Sequence, residues 1–225
     1  QGYYVVAIDV PPFGWSSIPL SPQDYRKETQ AKKVITLLEK LSIKNPIIVG
    51  HSYNSKVALL VASQYPAREL VMIAPVLQYG EKEEAGIAGI LTSISIIRDP
   101  FLSLFVNNTL LAKKVLLSFM YIQDTDITDT LKMTVLPFNK PGVNHAYGEW
   151  FQEFFNEAST VPDSDTLTNL KIPAHIIWGD HDTISPIENF TKLQALSPKA
   201  TLSSLPNVGH MPHLENTELF NAALQ

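Results

Sequence analysis

The stretch "IIVGHSYNSKVALLVA", residues 47–62, decides how this chain is read. An apolar run from Ile47 to Val49 reaches Gly50. His51, Ser52, Tyr53 and Asn54 follow, and then Val57, Ala58, Leu60 and Val61 recur at helical spacing. A buried strand over Pro46–Gly50 therefore hands over to a helix over Ser52–Gln64. Tyr65-Pro66 ends that helix, because the residue before a proline is driven out of the helical region. A lone serine stands at the hand-over. One reading makes Ser52 a helix N-cap. The other makes the hinge a strained turn that projects the hydroxyl beyond the sheet, where the Tyr53 backbone amide would face a developing oxyanion. Asn54 occupies the position that holds a second glycine in the usual serine hinge. Asparagine tolerates unusual backbone angles better than most residues, so the expectation is a slightly wider helix–strand approach with the turn kept.

Outward from this hinge, strands and helices alternate. Tyr3–Asp9 is rich in β-branched and aromatic residues and reads as a strand. "VPPFGWSSIPLSP" is a loop. Ser21 then reads as an N-cap with Pro22 at the first helical position, opening a helix to about Leu41. Leu70–Ala74, Ala174–Trp178 and Ala200–Leu205 read as strands, and Pro186–Leu196 and Glu215–Leu224 as helices. Residues of about 76–165 break the rhythm. There, helical patterns at Leu110–Met120 and Tyr147–Phe155 alternate with polar connectors such as "QDTDITDT". The fold class is therefore α/β, a mostly parallel sheet with helices on both faces. Ligands of such sheets gather beyond the carboxyl ends of the strands.

Composition narrows the function classes. The 225 residues are 45% hydrophobic with a formal net charge of −5, which suits one globular unit and offers no basic face for nucleic acid. The chain has no cysteine, which excludes thiol catalysis and zinc–thiolate sites. No apolar run reaches the roughly 18 residues of a membrane span. The longest, Gly86 to Ile97, is interrupted by Thr92, Ser93 and Ser95. The compartment is left open, with the cytoplasm as first choice, and so is the oligomeric state.

A serine hydroxyl needs an adjacent general base. Of the histidines, His51 neighbours Ser52 on a turn that sends the two side chains apart. His175 lies in an apolar strand, and His145 falls in the irregular region, where it could line a pocket. His210 follows a strand and the short turn "LPNVG", with Gly209 giving backbone freedom, and is the expected base. His213 is its rival. The base needs a carboxylate to fix its tautomer. "WGDHD" offers Asp180 and Asp182, both also plausible as turn formers.

These residues resemble the α/β-hydrolase superfamily in its lid-containing serine hydrolase branch. "AIDVPPFGWS", "VGHSYN", "WGDHDTISP" and "LPNVGHMPHLENTELF" match, in order, that branch's early loop, nucleophile elbow, acid loop and histidine loop. The resemblance implies a catalytic triad of Ser52, Asp182 and His210. It also implies a hydrolase core over 1–75 and 166–225, and a region of 76–165 that includes a helical lid. The expected activity is hydrolysis of an ester or related acyl bond in a small, partly apolar substrate, without metal or organic cofactor. Carbon–carbon bond hydrolysis uses the same triad. A non-catalytic member that binds a ligand or partner is the alternative from another class, motivated by Asn54. The family's "H-G" oxyanion loop, and the strand before it that lies between the Asp9 and Gly50 strands, have no counterpart here. The expectation is accordingly of a longer protein of which this chain lacks the N-terminal strands, and of a second oxyanion donor outside the chain.

Overall fold

The computed structural model describes residues 2–77, 99–100, 103, 108–156, 163–197 and 199–224. The Gly86–Ile97 run and about a third of the expected lid-bearing region, 76–165, lie outside them. Four parallel strands form one sheet in the order β1 (Ile47–His51), β2 (Glu69–Ile73), β3 (Ala174–Gly179) and β4 (Thr201–Leu205). The register sets Ile48 opposite Leu70, Met72 opposite Ile176, and Ile177 opposite Ser203.

Both faces of this sheet are covered, which is why its inner strands read as nearly continuous apolar runs. Along β2 the side chains alternate. Leu70 and Met72 join Ile176 and Trp178 on one face, packed by Leu59 and Ala62 of α2 (Asn54–Gln64) and Leu193 of α7 (Glu188–Leu196). Val71 and Ile73 join Ile177 and Leu205 on the other, packed by Phe220 of α9 (Thr217–Ala223). Helix α1 (Lys27–Lys40) lies against the outer side of α2, with Ala31 and Leu38 meeting Val57 and Val61.

Between β2 and β3 the described chain forms α3 (Thr109–Ser118), α4 (Thr128–Val135), α5 (Val143–Asn156) and α6 (Asp163–Thr168). Asp163 opens α6 and is buried. It bonds to Lys27 Nζ of α1 at 2.5 Å and lies 3.7 Å from Lys56 Nζ of α2. Burying these charges is tolerable only because they face one another. The last strand is followed by a single-turn helix α8 (Pro212–Glu215) and then α9.

Three expectations need correction. Tyr3–Asp9 is not a strand, and Tyr4 and Val5 are 91% and 80% exposed. A strand is defined by the neighbour that takes its hydrogen bonds. The family pattern puts a further strand between this segment and β1, and no described residue supplies it. Among the described residues nothing ladders onto the outer edge of β1, where Val49 is 56% exposed. Second, Ser21 makes no side-chain cap. Pro22–Tyr25 forms a separate 3-10 turn, Arg26 is extended, and α1 starts only at Lys27. The turn is pinned by Tyr25, fully buried, whose hydroxyl donates to the Pro19 carbonyl at 2.6 Å. Third, the connector "QDTDITDT" is partly helical. Its last residues open α4, and Thr128 N–H is taken by Asp126 Oδ1 at 2.9 Å just before the helix.

Candidate active site

β1 ends at His51, and Ser52 turns the chain into α2 with φ +54°. A non-glycine residue in the left-handed region is strained, and the strain survives only where the surroundings impose it. Here Ser52 N–H bonds to the Ile73 carbonyl at 2.9 Å, while its own carbonyl takes the Ser55 N–H at 3.0 Å. Gly50 makes the turn possible. A Cβ there would stand 2.6 Å from Ala58 Cβ and 2.7 Å from the Asn54 carbonyl oxygen. The turn thus exists with Asn54 in place, and the helix–strand approach at Gly50 is tight rather than wide. Asn54 Oδ1 is buried and has no hydrogen-bond partner among the described residues.

The other two groups arrive from the same sheet edge. Asp182 lies three residues beyond β3 and His210 five beyond β4. Their loops are laced together: Asp180 N–H donates to the Leu205 carbonyl at 3.1 Å, and His181 N–H to that of Val208 at 3.0 Å. Gly179 permits this contact, since a Cβ on it would fall 2.2 Å from the Gly209 carbonyl oxygen.

The three side chains form one chain of hydrogen bonds. Ser52 Oγ is 2.8 Å from His210 Nε2, and His210 Nδ1 is 2.7 Å from Asp182 Oδ2. Asp182 and His210 are both buried. The second carboxylate oxygen, Oδ1, accepts from the backbone N–H groups of Ile184 at 2.8 Å and Ser185 at 2.9 Å. Those bonds fix the carboxylate's rotation. With Nδ1–H directed at Asp182, Nε2 is left as an acceptor for the serine proton. Tyr53, next in sequence, is the N-cap residue of α2 with φ −54° and ψ −37°. Its ring is buried against Trp150 and Phe154 of α5, each with a centroid 5.2 Å away.

The rival residues go elsewhere. Asp180 pairs with its neighbour His181 at 2.6 Å, in a half-exposed position. His145 lies on α5, 3.4 Å from Asp99 and 3.9 Å from Glu149. His175 faces β4 and sits 3.0 Å from Ser203 Oγ. His213 stacks edge-on against His51 with ring centroids 5.0 Å apart. His51 has an unforeseen part: its Nε2–H donates to the His210 carbonyl at 2.8 Å. Burial, with His213 and His210 adding to it, lowers its pKa from 6.5 to about 3. Burial likewise lowers that of His213. Both rings are therefore neutral walls beside His210. Gly209 also differs from expectation. Its φ is not positive, so it contributes the absence of a side chain: a Cβ would meet Tyr121 N at 2.6 Å.

Among the described residues no cluster of three His, Asp or Glu is arranged to hold a metal ion, and no helix is long and apolar enough to cross a membrane. A cavity of about 480 Å³ lies between the loop of Asp9 and Phe13 and the residues Met133, Thr134 and Tyr147. None of Ser52, Asp182 and His210 lines it.

A serine on a strand-to-helix turn, a histidine and a carboxylate joined at one sheet edge recur in one large group of enzymes. The profile of the family described as alpha/beta hydrolase fold matches residues 1–217. The chain belongs to the alpha/beta hydrolase family. It is a hydrolase by that membership and by its relatives. It is 27% identical over 220 residues to the uncharacterized hydrolase YugF of Bacillus subtilis, covering 97% of this chain and 78% of that protein. It is also 27% identical over 224 residues to a 2-hydroxy-6-oxononadienedioate/2-hydroxy-6-oxononatrienedioate hydrolase of Burkholderia vietnamiensis, covering 98% and 74%. Lipase 1 of Psychrobacter immobilis is 25% identical, with 96% of this chain and 65% of the lipase covered. Among solved structures, a serine hydrolase of carbazole degradation superposes with a TM-score of 0.73 at 16% identity, over 94% of this chain and 74% of that one. That likeness concerns the fold.

Proposed function

We propose that this alpha/beta hydrolase cleaves an ester or related acyl bond through Ser52, His210 and Asp182. The observation that carries the reading is the unbroken hydrogen-bond chain from Ser52 Oγ through His210 to Asp182, at 2.8 and 2.7 Å. His210 Nε2 takes the serine proton as Oγ attacks the substrate carbonyl. The imidazolium so formed is stabilised by Asp182, which the Ile184 and Ser185 amides hold in place. The tetrahedral oxyanion is met by the Tyr53 backbone amide at the start of α2, where the helix also presents positive potential. His210 returns the proton to the leaving alcohol. A water activated by the same imidazole then releases the acid and restores Ser52.

The residues of 76–165 act as the lid-bearing region of this site. Support comes from α5, whose Trp150 and Phe154 pack on Tyr53 beside the nucleophile. The substrate is a small molecule with an apolar portion. A second reading, hydrolysis of a carbon–carbon bond next to a carbonyl, uses the same three side chains. It is favoured by relatives such as the 2-hydroxy-6-oxononadienedioate hydrolases. Labelling with a fluorophosphonate and mapping of the modified peptide test the common mechanism. The label is expected on Ser52, and its absence there under conditions that label a known serine esterase overturns both readings. Turnover of p-nitrophenyl esters against a vinylogous 1,5-diketone acid separates them.

A further inference from the structure

Glu215 stands at the end of α8 and is only 9% exposed. Its carboxylate touches no reacting group. Instead it collects backbone N–H groups from its own loop and from a segment distant in sequence. Oε1 accepts from Gly209 and Met211, each at 3.1 Å. Oε2 accepts from Gly209 at 3.0 Å, Tyr121 at 2.7 Å and Ile122 at 3.0 Å. Gly209 and Met211 are the residues on either side of His210. Tyr121 and Ile122 follow α3. The N–H of His210 itself donates to the Phe119 carbonyl at 3.0 Å.

We infer that Glu215 is a positioning residue that clamps the His210 backbone to the segment 119–122 and so sets where the imidazole stands relative to Ser52; this rests on the triad reading above. Three consecutive N–H groups, those of residues 209, 210 and 211, are consumed by this joint, and the His210 carbonyl is held by His51. Both backbone polar atoms of His210 are thus tied. The ring of Phe119 stands edge-on to that of His210 with centroids 6.4 Å apart, so the clamped segment also flanks the imidazole. Close approach of the two segments depends on Gly209, where a Cβ would lie 2.6 Å from Tyr121 N and 3.0 Å from Glu215 Oε1.

The chemistry demands a carboxylate. Four N–H donors converge on two oxygens, and an ionised carboxyl group is acceptor-only on both. A glutamine has the same size but would turn one NH₂ toward N–H groups. An aspartate is one methylene too short to reach both segments. Since His210 must sit within hydrogen-bond reach of Ser52 Oγ, a displacement of about 1 Å is expected to cost on the order of 10²-fold in rate.

The test is Glu215→Gln in the full chain, read in two ways. With an ester substrate, kcat and the fluorophosphonate labelling rate are expected to fall by about 10²-fold while KM changes by less than about threefold, since geometry at the base is lost and binding is not. Unchanged kcat in a variant with wild-type labelling would overturn the inference. Amide hydrogen exchange reads the clamp independently of activity. In the wild type, the amides of 121, 122, 209, 210 and 211 are expected to be protected, and in the variant these exchange faster than the sheet amides. Rapid exchange of them in the wild type would overturn the inference, even if Glu215→Gln does not fold. A wild type that fails to label while keeping that protection refutes the triad reading and leaves the clamp standing.

Discussion

The two halves of the candidate site are built in opposite ways. The nucleophile side is written in one contiguous run: Gly50, Ser52 and the start of α2 make their own turn, with the left-handed Ser52 fixed by backbone bonds to Ile73 and Ser55. The base side is assembled. His210 is held by His51 from β1, Asp182 from the β3 loop, Phe119 from after α3, and Glu215 through its flanking peptides. A local motif survives a change such as asparagine at residue 54, because apart from the Ile73 carbonyl its geometry is enforced within a few residues. An assembled one depends on groups far apart in sequence, and each is a separate point of failure.

The largest effect separates the two halves from the rest of the protein. Ser52→Ala and His210→Ala are each expected to lower kcat for ester hydrolysis by about 10⁵–10⁶-fold, as removal of either member of a serine–histidine unit does. Retention of more than a hundredth of the activity in either variant would break the account. Next is the orienting acid. Asp182→Asn should cost about 10⁴-fold, because the amide favours the wrong imidazole tautomer. Asp180→Asn should change kcat/KM by no more than about twofold, since Asp180 pairs with His181 at the surface. Equal losses from the two acids would erase the distinction drawn between them.

Stability distinguishes the halves as well. Gly50→Ala places a methyl group 2.6 Å from Ala58 Cβ, and is expected to cost about 1–3 kcal/mol in denaturant unfolding. On the assembled side, His51 carries a pH dependence. Burial holds its pKa near 3 against an ordinary 6.5. The folded protein keeps the ring neutral while the unfolded chain takes up a proton as pH falls through 6.5. Between those values the unfolded state binds more protons, so stability rises with pH. The contribution of His51 should make the protein about 2 kcal/mol less stable at pH 5 than at pH 7. His51→Gln should flatten that slope, and a slope unchanged by the substitution would remove His51 from this role.

What could be read from the sequence follows the same division. The strands at β1 to β4 and the turn at Ser52 were legible because periodicity, β-branched runs and a glycine at the hinge are local signals. Family-like spacing pointed to Asp182 and His210, and the structure brings both to Ser52. Tyr3–Asp9 shows the limit. It is rich in β-branched and aromatic residues, as Ile47–Val49 is β-branched, yet among the described residues only the latter finds a neighbour to ladder with. Strand character there is a property of the pair. Gly209 and Glu215 were illegible for a related reason. The need for a missing Cβ, or for one carboxylate among four amides, arises only once residues 119–122 lie against the histidine loop.

The central claim is that Ser52 and His210 work as one unit despite lying 158 residues apart. The most direct test is a double-mutant cycle with Ser52→Ala, His210→Ala and the pair, measured as kcat for an ester. The account predicts that the double variant is about as slow as the slower single one. Losses that multiply would mean that the two side chains act independently, and would contradict it.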